Sequence, residues 1–545
     1  MILSNSGATA DGSGSAPYQK KGGAEVKLSK LLISIGAGIL VTAHLFGAAA
    51  GEVLLHENVD FPSSSAWDIH EAQYTIFAKP PKGWVGDVMP MASDEESGEL
   101  RLFYLQDWRD GAPTYHPFHS FVTKDFVHYD YLGEAIPTSN INHYDLALGT
   151  GSVTKIGDTY HAFYTGNNPR FFSQGKPREY IRHAVSQDGV HFTKLEDETF
   201  TSSPSDGYSI EDFRDPFLFY NEEAEEYWLL ITSVRNGKAA VARYSSKDLS
   251  SWQLMEPLLL PGTTSCECPD LFKWGDWWYC FYSTDWVTRY MRAPSLEGPW
   301  EHPPMEAFDS HAFYAAKTGV LNGKRYLCGW IATRGGYSGE FADTSVWDWA
   351  GNLAVFELEQ DQDGWLSIHL PDTIRAAFGD AVQLNGMLIS AEGSAEGDKV
   401  VISADRDGGG VVFEALPDVP VLISTDVTIS DNARGAGFSF GSANYYRALA
   451  VELDMKFGLL RYDSSIVARM RYAIENSHIS RRINTEKRQY HLDILIDNDV
   501  AVFFLDNREA LSTRIYRMPG MPWGVYVSDG EACFDHLTMR LLKSE

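Results

Sequence analysis

The middle of the chain alternates short hydrophobic runs with polar turns, in a pattern that recurs five times. Each run is rich in aromatic and aliphatic residues and follows a turn that contains glycine or acidic residues. The runs occupy residues 97–106, 157–166, 223–232, 275–284 and 323–332. Their central residues are spaced by 60, 67, 51 and 48 positions: Phe103, Phe163, Leu230, Phe281 and Gly329. Aromatic and aliphatic runs without a 3.6-residue period predict β-strands and exclude a helical solenoid.

A turn signal follows each of the first three runs. It consists of Ser or Thr, any residue, Asp, and an aromatic residue four positions after the Asp: Thr123, Asp125 and Tyr129; Ser186, Asp188 and Phe192; Ser246, Asp248 and Trp252. We expect the Asp to form a turn between strands and the aromatic residue to pack on the next sheet. Repeats of roughly 40–65 residues with four short strands each are typical of β-propeller blades. The five copies therefore predict a five-bladed β-propeller within residues 51–370.

The pattern changes from about Pro371 onward. Hydrophobic and polar residues then alternate in strand-length segments separated by Asp, Asn and Gly turns, up to the end of the chain. Alternation of this kind is typical of an antiparallel β-sandwich. We predict an all-β protein in which a lectin-like, jelly-roll β-sandwich over residues 371–545 follows the propeller.

The first fifty residues form a separate segment. Residues 1–25 are rich in Gly, Ser and Ala, which predicts disorder. Two lysines then precede an apolar run over residues 31–46 and small residues at Ala48 and Ala50, as in a secretory signal peptide. We therefore expect an exported protein with translation starting at Val26, and no stable membrane span, because the run is short. The alternative is a cytoplasmic protein in which residues 31–50 belong to the fold.

Composition narrows the range of partners. The 545 residues include 74 acidic and 45 basic side chains, a net charge of −29, which argues against nucleic acid or an anionic membrane as a partner. The 15 Trp, 27 Tyr and 29 Phe suit β-sheet cores and carbohydrate clefts alike. Five cysteines are too few and too irregularly spaced for a disulfide scaffold or a zinc site. The sequence has no dinucleotide, phosphate-loop or metal-ligand motif, so we expect no cofactor and no metal.

Candidate chemistry lies 11–16 residues ahead of each hydrophobic centre, where the innermost strand of a blade begins near the central channel. These positions hold Asp87, Ser152, Asp215, Glu267 and Tyr314. Three of the five are carboxylates in three different blades. Any one alone is most simply a turn residue, but like charges gathered in a channel raise a carboxyl pKa and suit acid catalysis.

The motifs around these residues resemble glycoside hydrolase family 32. The match is carried by FRDP (213–216) and ECPD (267–270), supported by GTGS (149–152), HAFYAAKT (311–318), CGWIATR (328–334) and WAGNL (349–353). The resemblance covers about residues 60–545. It implies a five-bladed propeller followed by a β-sandwich, in agreement with the repeats, and an enzyme that acts on fructose-containing oligo- or polysaccharides such as sucrose, inulin or levan.

The resemblance also implies a role for each carboxylate. Asp87 would be the nucleophile, Asp215 the transition-state stabiliser and Glu267 the acid/base of a retaining reaction. Arg214 would set the geometry of Asp215. The other expected substrate-binding residues are Trp84, Gln106, Trp108, Ser152 and Tyr314. The three aromatic residues and Gln106 could equally be core residues.

One stretch departs from the family pattern. Members usually carry Trp-Met-Asn-Asp-Pro-Asn-Gly around the nucleophile, whereas residues 84–90 here read Trp-Val-Gly-Asp-Val-Met-Pro. Asp87 is present, but its usual Asn, Pro and Gly neighbours are not. The chain is a divergent relative, and sucrose does not follow as its substrate.

Three further functions compete with fructoside hydrolysis. The same carboxylates could transfer fructosyl groups to a sugar hydroxyl. Related propellers cleave arabinan and xylan, although the ECP motif at the acid/base position argues against that activity. A non-catalytic sugar-binding protein is a different class, and three retained carboxylates argue against it, because binding alone needs no acid with a raised pKa.

Overall fold

The computed structural model describes residues 73–91, 97–108, 115–305, 307–334, 347–405, 408–440, 449–463, 478–515 and 522–544. The predicted signal peptide and the start at Val26 lie outside these residues. The described chain is built of 34 strands and two short α-helices, α1 (Pro169–Phe172) and α2 (Asp372–Ala376). Within the described ranges, no helix has the length and apolarity needed to cross a membrane.

The first nineteen strands form the five predicted blades, in each of which consecutive strands pair antiparallel. Blade 1 contains β1 (Trp84–Pro90), β2 (Leu100–Asp107), β3 (Phe118–Thr123) and β4 (Tyr129–Ile136). Blade 2 contains β5 (Ala147–Ile156), β6 (Thr159–Asn167), β7 (Glu179–Ser186) and β8 (Thr193–Phe200). Blade 3 contains β9 (Tyr208–Asn221), β10 (Glu226–Arg235), β11 (Lys238–Ser246) and β12 (Gln253–Leu254).

The remaining two blades differ slightly from this plan. Blade 4 contains β13 (Glu267–Trp274), β14 (Trp277–Thr284) and β15 (Val287–Ala293), and a bridge between Arg292 and Glu301 takes the place of a fourth strand. Blade 5 contains β16 (Phe313–Leu321), β17 (Lys324–Arg334), β18 (Trp347–Gln360) and β19 (Leu366–His369). The five hydrophobic runs are the second strands of the blades, and the first strands contact one another around a closed ring.

Blades 5 and 1 close the ring through backbone contacts. Val85 in β1 pairs with Gly351 in β18, which joins the two blades into one sheet. Just upstream of β1, Ala78 accepts a hydrogen bond from the Leu353 amide at 2.8 Å. The strand that carries Asp87 is thus held by the last blade as well as by the first.

The turn signals fold as predicted, but the aromatic residue that follows packs on the preceding blade. The Asp188 carboxylate accepts the amides of Val190 and His191 at 2.8 Å each, and Asp125 and Asp248 make the same turn. Phe192 of blade 2 contacts Phe103 of blade 1 at 5.7 Å between ring centroids, and Trp252 of blade 3 contacts rings of blade 2. The expectation of packing on the next sheet was therefore wrong in direction.

The C-terminal part is the predicted β-sandwich of two antiparallel sheets. One sheet has the order β22-β23-β34-β25-β30-β31-β32, with β20 paired to β34: β20 (Phe378–Val382), β22 (Glu392–Glu396), β23 (Lys399–Ala404), β25 (Val421–Ile429), β30 (Gln489–Asp497), β31 (Val500–Leu505), β32 (Glu509–Arg514) and β34 (Gly530–Leu542). The other has the order β21-β24-β33-β26-β27-β28-β29: β21 (Met387–Ile389), β24 (Gly409–Ala415), β26 (Gly435–Phe440), β27 (Leu449–Asp454), β28 (Leu459–Asp463), β29 (His478–Arg482) and β33 (Pro522–Val527). The exact boundary at residue 370 stays a prediction.

Propeller and sandwich share one hydrophobic core and a set of buried polar contacts. Arg514 of β32 is fully buried and donates to the Ala332 carbonyl at 2.8 Å, to Asn352 Oδ1 at 2.6 Å and to Asp499 at 3.1 Å. Asp497 Oδ2 accepts the backbone amides of Thr75 and Ile76 at 2.7 Å each. Because every such charge has partners, burying it at the interface is tolerated.

Candidate active site

Every inner strand carries an irregularity in its ladder where the sequence placed candidate chemistry. The register shifts fall between Val85 and Val88, Gly149 and Gly151, Arg214 and Phe217, Glu267 and Asp270, and Tyr314 and Lys317. A β-bulge leaves a residue out of the ladder and redirects its side chain. Three bulges contain a non-glycine residue with positive φ: Asp215 (59°), Cys268 (57°) and Ala315 (52°). Such backbone costs of order 1–3 kcal/mol and is concentrated at functional sites.

Asp87 lies in the β1 bulge beneath two tryptophans of blade 5. Its Oδ1 accepts a hydrogen bond from Trp330 Nε1 at 3.1 Å. The neighbouring Trp349 ring lies directly on Gly86, and a Cβ atom at that position would overlap it. Glycine ahead of Asp87 is therefore required here, which explains one departure from the family pattern.

Asp215 is held rigidly between three blades. Its carboxylate is 4% exposed and accepts hydrogen bonds from the Cys268 amide at 2.9 Å and from Thr232 at 3.4 Å. Its own amide donates to Thr165 Oγ1 at 2.8 Å. These contacts fix the side chain in place while its backbone occupies the left-handed region.

Glu267 opens β13, and its side chain is 37% exposed, whereas Asp215 is buried. Tyr314 donates its hydroxyl hydrogen to Oε2 at 2.7 Å, and Arg214 Nη2 donates to Oε1 at 3.2 Å. Arg214 also contacts Asp212 at 2.7 Å and Glu179 at 3.4 Å. We expected Arg214 to set the geometry of Asp215, but the carboxylate it contacts in the channel is that of Glu267.

The three carboxylates interact electrostatically. Burial, together with the charges of Asp215 and Glu267, raises the pKa of Asp87 to about 7, although the hydrogen bond from Trp330 and the charge of Lys317 oppose the rise. For Asp215, the raising effects of burial and of the Glu267 charge outweigh the lowering effects of Arg214 and Lys317, and the resulting pKa is about 6. Carboxyl groups that interact this strongly titrate as a cluster, in which one can hold a proton while another is charged.

Aromatic rings that the sequence did not single out line one side of the cluster. Tyr314 lies 5.5 Å from Trp286 and 5.7 Å from Trp330, measured between ring centroids. Trp349 follows at 6.2 Å from Trp330, and His116 lies 4.5 Å from Trp349. Trp330 and Trp349 belong to the CGWIATR and WAGNL segments, so the resemblance offered a signal for both. Among the described residues, no group of His, Cys, Asp and Glu is arranged to hold a metal ion.

Three expected substrate-binding residues are buried, and their contact with substrate stays a prediction. Trp84 has no exposed surface and packs against Ala350. Gln106 is equally buried and donates to the Lys82 carbonyl at 2.7 Å, and the Ser152 hydroxyl accepts the Leu218 amide at 2.9 Å. Trp108 is half-buried and lies 5.5 Å from the ring of His119, while Tyr314 contacts the Glu267 carboxylate.

Fold and site together define a class of β-propeller protein whose channel presents paired carboxylates beside aromatic rings. Residues 77–358 match the profile of the glycosyl hydrolases family 32 N-terminal domain. The match covers more than half of the chain, which therefore belongs to glycosyl hydrolase family 32. The resemblance read from the FRDP and ECPD motifs is confirmed.

Individual relatives are distant in sequence. An insoluble beta-fructofuranosidase isoenzyme of Arabidopsis thaliana is 23% identical over 395 residues, which cover 66% of this chain and 62% of that protein's length. Among solved structures, the beta-fructofuranosidase of Aspergillus kawachii is 17% identical with a TM-score of 0.66, covering 89% of this chain and 96% of that one. Fructan 1-exohydrolase IIa of Cichorium intybus is 16% identical with a TM-score of 0.63, covering 86% and 97%. These two likenesses confirm the five-bladed propeller followed by a β-sandwich.

Proposed function

We propose that the protein is a retaining glycoside hydrolase that cleaves β-fructofuranosyl linkages in sucrose or in inulin- or levan-type fructans. The observation that carries the proposal is the cluster of Asp87, Asp215 and Glu267, brought to one channel by bulges in three different blades. The Arabidopsis relative and the Aspergillus structure, both named as beta-fructofuranosidases, support the same substrate class.

The first step of the proposed reaction needs an acid and a nucleophile. Glu267 donates a proton to the leaving oxygen, and its hydrogen bonds from Tyr314 and Arg214 hold the carboxyl group in place for that transfer. Asp87 attacks the anomeric carbon as the glycosidic bond breaks, and a fructosyl ester forms on Asp87. Trp330 orients the attacking carboxylate through its hydrogen bond to Oδ1.

The second step releases fructose with retained configuration. Glu267, now ionised, takes a proton from a water molecule that attacks the anomeric carbon, and Asp87 leaves as a carboxylate. Asp215, fixed by the Cys268 amide, opposes the positive charge that develops on the sugar ring in both steps. The same cycle transfers the fructosyl group when a sugar hydroxyl replaces the water.

Incubation with sucrose, inulin, levan and an aryl arabinoside tests the proposal. We expect fructose from at least one fructoside, no arabinose, and a loss of activity in Glu267→Gln. Glu297→Gln is the matched control, because Glu297 is a 76% exposed carboxylate that pairs with Arg243 far from the channel. Product analysis at high sucrose concentration distinguishes hydrolysis from transfer. Binding of fructan without turnover by the wild type would favour the non-catalytic sugar-binding function.

A further inference from the structure

The channel holds a buried lysine that the proposed reaction steps do not use. Lys317 lies at the end of the β16 bulge in blade 5 and is 2% exposed. Its Nζ donates to the Gly151 carbonyl of blade 2 at 2.5 Å. Burying an ammonium group costs free energy unless opposite charges surround it. The neighbours of Lys317 therefore indicate its role.

The groups that interact electrostatically with Lys317 are acidic and come from three other blades. They are Asp87 of β1, Asp215 of β9, and Cys268 and Asp270 of β13. Lys317 lowers the pKa of each of these groups, against the effect of burial. Arg214, the other cation close to the cluster, lowers the pKa of Asp215.

The hydrogen bond to Gly151 fixes where this charge lies. Gly151 belongs to the β5 bulge, where a Cβ atom would overlap the Phe163 carbonyl of β6. Only glycine therefore allows β5 to lie this close to β6 at the point where its carbonyl accepts the lysine. Because the acceptor is a neutral carbonyl oxygen, the bond anchors the ammonium group without neutralising it. The lysine thus spans from blade 5 to blade 2 as a fixed positive charge beside the carboxylates.

We propose that Lys317 is a positioning residue for the reaction, a fixed counter-charge that favours the ionised forms of Asp87 and Asp215 in the resting enzyme. The proposal rests on the proposed function, in which Asp87 must be a carboxylate to attack and Asp215 must be negative to oppose the charge on the sugar. Without the ammonium, proton uptake relieves the repulsion among Asp87, Asp215 and Glu267. As the pH falls, Asp87 is then protonated at a higher pH than in the wild type and can no longer attack.

The pH dependence of kcat/KM tests this role. In Lys317→Met we expect the acid limb to move up by about one pH unit or more, with activity recovering at higher pH, whereas Lys317→Arg keeps the limb close to the wild-type position. Lys324→Met is the matched control, because Lys324 lies in the same blade and pairs with Glu357 and Asp372 away from the channel. Its profile should match the wild type.

A second measurement keeps the proposal testable without turnover. An epoxide that alkylates the ionised nucleophile labels Asp87 at a rate that follows its carboxylate fraction, and peptide mass spectrometry identifies the labelled residue. The labelling profile should shift with Lys317→Met as the kcat/KM profile does. If the labelling profile shifts but the protein does not hydrolyse fructosides, the counter-charge role is supported and only the proposed substrate is rejected.

Other outcomes overturn the proposal. A Lys317→Met enzyme that loses activity equally at every pH, with an unmoved labelling profile, would show that the lysine is only structural. If the neutral variant does not fold, Lys317→Arg decides, because it retains the buried charge. A folded Arg variant whose acid limb moves as far as one pH unit would contradict the role of the charge, and an unmoved limb would support it.

Discussion

Two buried carboxylates of this protein, Asp87 in the propeller channel and Asp493 in the β-sandwich, have pKa values displaced in opposite directions. Burial and the charges of two further carboxylates raise the pKa of Asp87 to about 7, and the hydrogen bond from Trp330 and the charge of Lys317 offset only part of the rise. Asp493 accepts hydrogen bonds from Ser424 at 2.5 Å and from Arg375 at 3.1 and 2.6 Å. These donors, with His491, hold the pKa of Asp493 well below its usual range despite burial.

The difference shows that burial alone does not decide the charge state of an acid. In the sandwich, Asp493 has the Arg375 guanidinium within hydrogen-bond distance, and the result is an ion pair that links α2 to β30. In the channel, carboxylates outnumber the cations, and the molecule retains repulsion that a substrate or a proton can relieve. Four changes test this contrast.

The largest expected effect follows from Asp87→Ala. We expect fructose release to fall by at least about 10⁴-fold, because the attacking group is removed. Thermal unfolding followed by circular dichroism should give an unchanged or higher midpoint, since one of three repelling carboxylates is gone. A protein that unfolds at a markedly lower temperature would mean that Asp87 is structural, like Asp493.

Asp215→Asn should have a smaller effect on the same reaction. The amide can still accept the hydrogen bond from Cys268, but it cannot oppose positive charge on the sugar. We expect kcat to fall by about 10³-fold with no loss of stability. Steady-state kinetics and a melting curve check both expectations, and a variant with wild-type kcat would exclude a role for the charge of Asp215.

Asp493→Asn should do the reverse and change stability without changing kcat. It leaves the Arg375 guanidinium without its carboxylate, and we expect a loss of about 3 kcal/mol in the free energy of unfolding. Chemical denaturation measures this loss, and activity is assayed well below the transition. A fall in kcat with unchanged stability would contradict the contrast between the two regions.

The smallest effect is a pH dependence of stability that comes from His491. Its hydrogen bond to Asp493 raises the pKa of His491 to about 9, above the ordinary value of 6.5. The stabilisation is therefore complete below pH 6.5 and is lost as the pH rises towards 9. Because the imidazole is partly exposed, we expect only about 1 kcal/mol. Denaturation between pH 6 and 9.5 should show this loss in the wild type and not in His491→Gln.

Much of the fold was predictable because its signals are local. The five hydrophobic runs became the second strands of five blades, and the alternation after Pro371 became two sheets. The convergence of Asp87, Asp215 and Glu267 followed from their common position ahead of the runs. Blade symmetry converts a position in sequence into a position in space, so no long-range contact had to be inferred.

The side-chain directions were not predictable in the same way. A strand presents alternate residues to opposite faces, and a bulge reverses the alternation from that point on. The sequence does not mark where the ladder shifts, and it did not predict that Trp84, Gln106 and Ser152 are buried. Trp349 and Lys317 reach the site from strands of blade 5. Which strands lie next to blade 5 depends on how the ring closes, and the sequence does not show this.

The segment ahead of β1 has a consequence for folding during synthesis. The amides of Thr75 and Ile76 bind Asp497, about 420 residues later in the chain, and Val85 pairs with Gly351. At a synthesis rate of about 5–20 residues per second, roughly 10–50 s separate Val85 from Gly351 and roughly 20–80 s separate Thr75 from Asp497. The ribosome makes this strand early, yet its pairing with Gly351 and the anchoring of the segment ahead of it to Asp497 must wait for residues that are made much later.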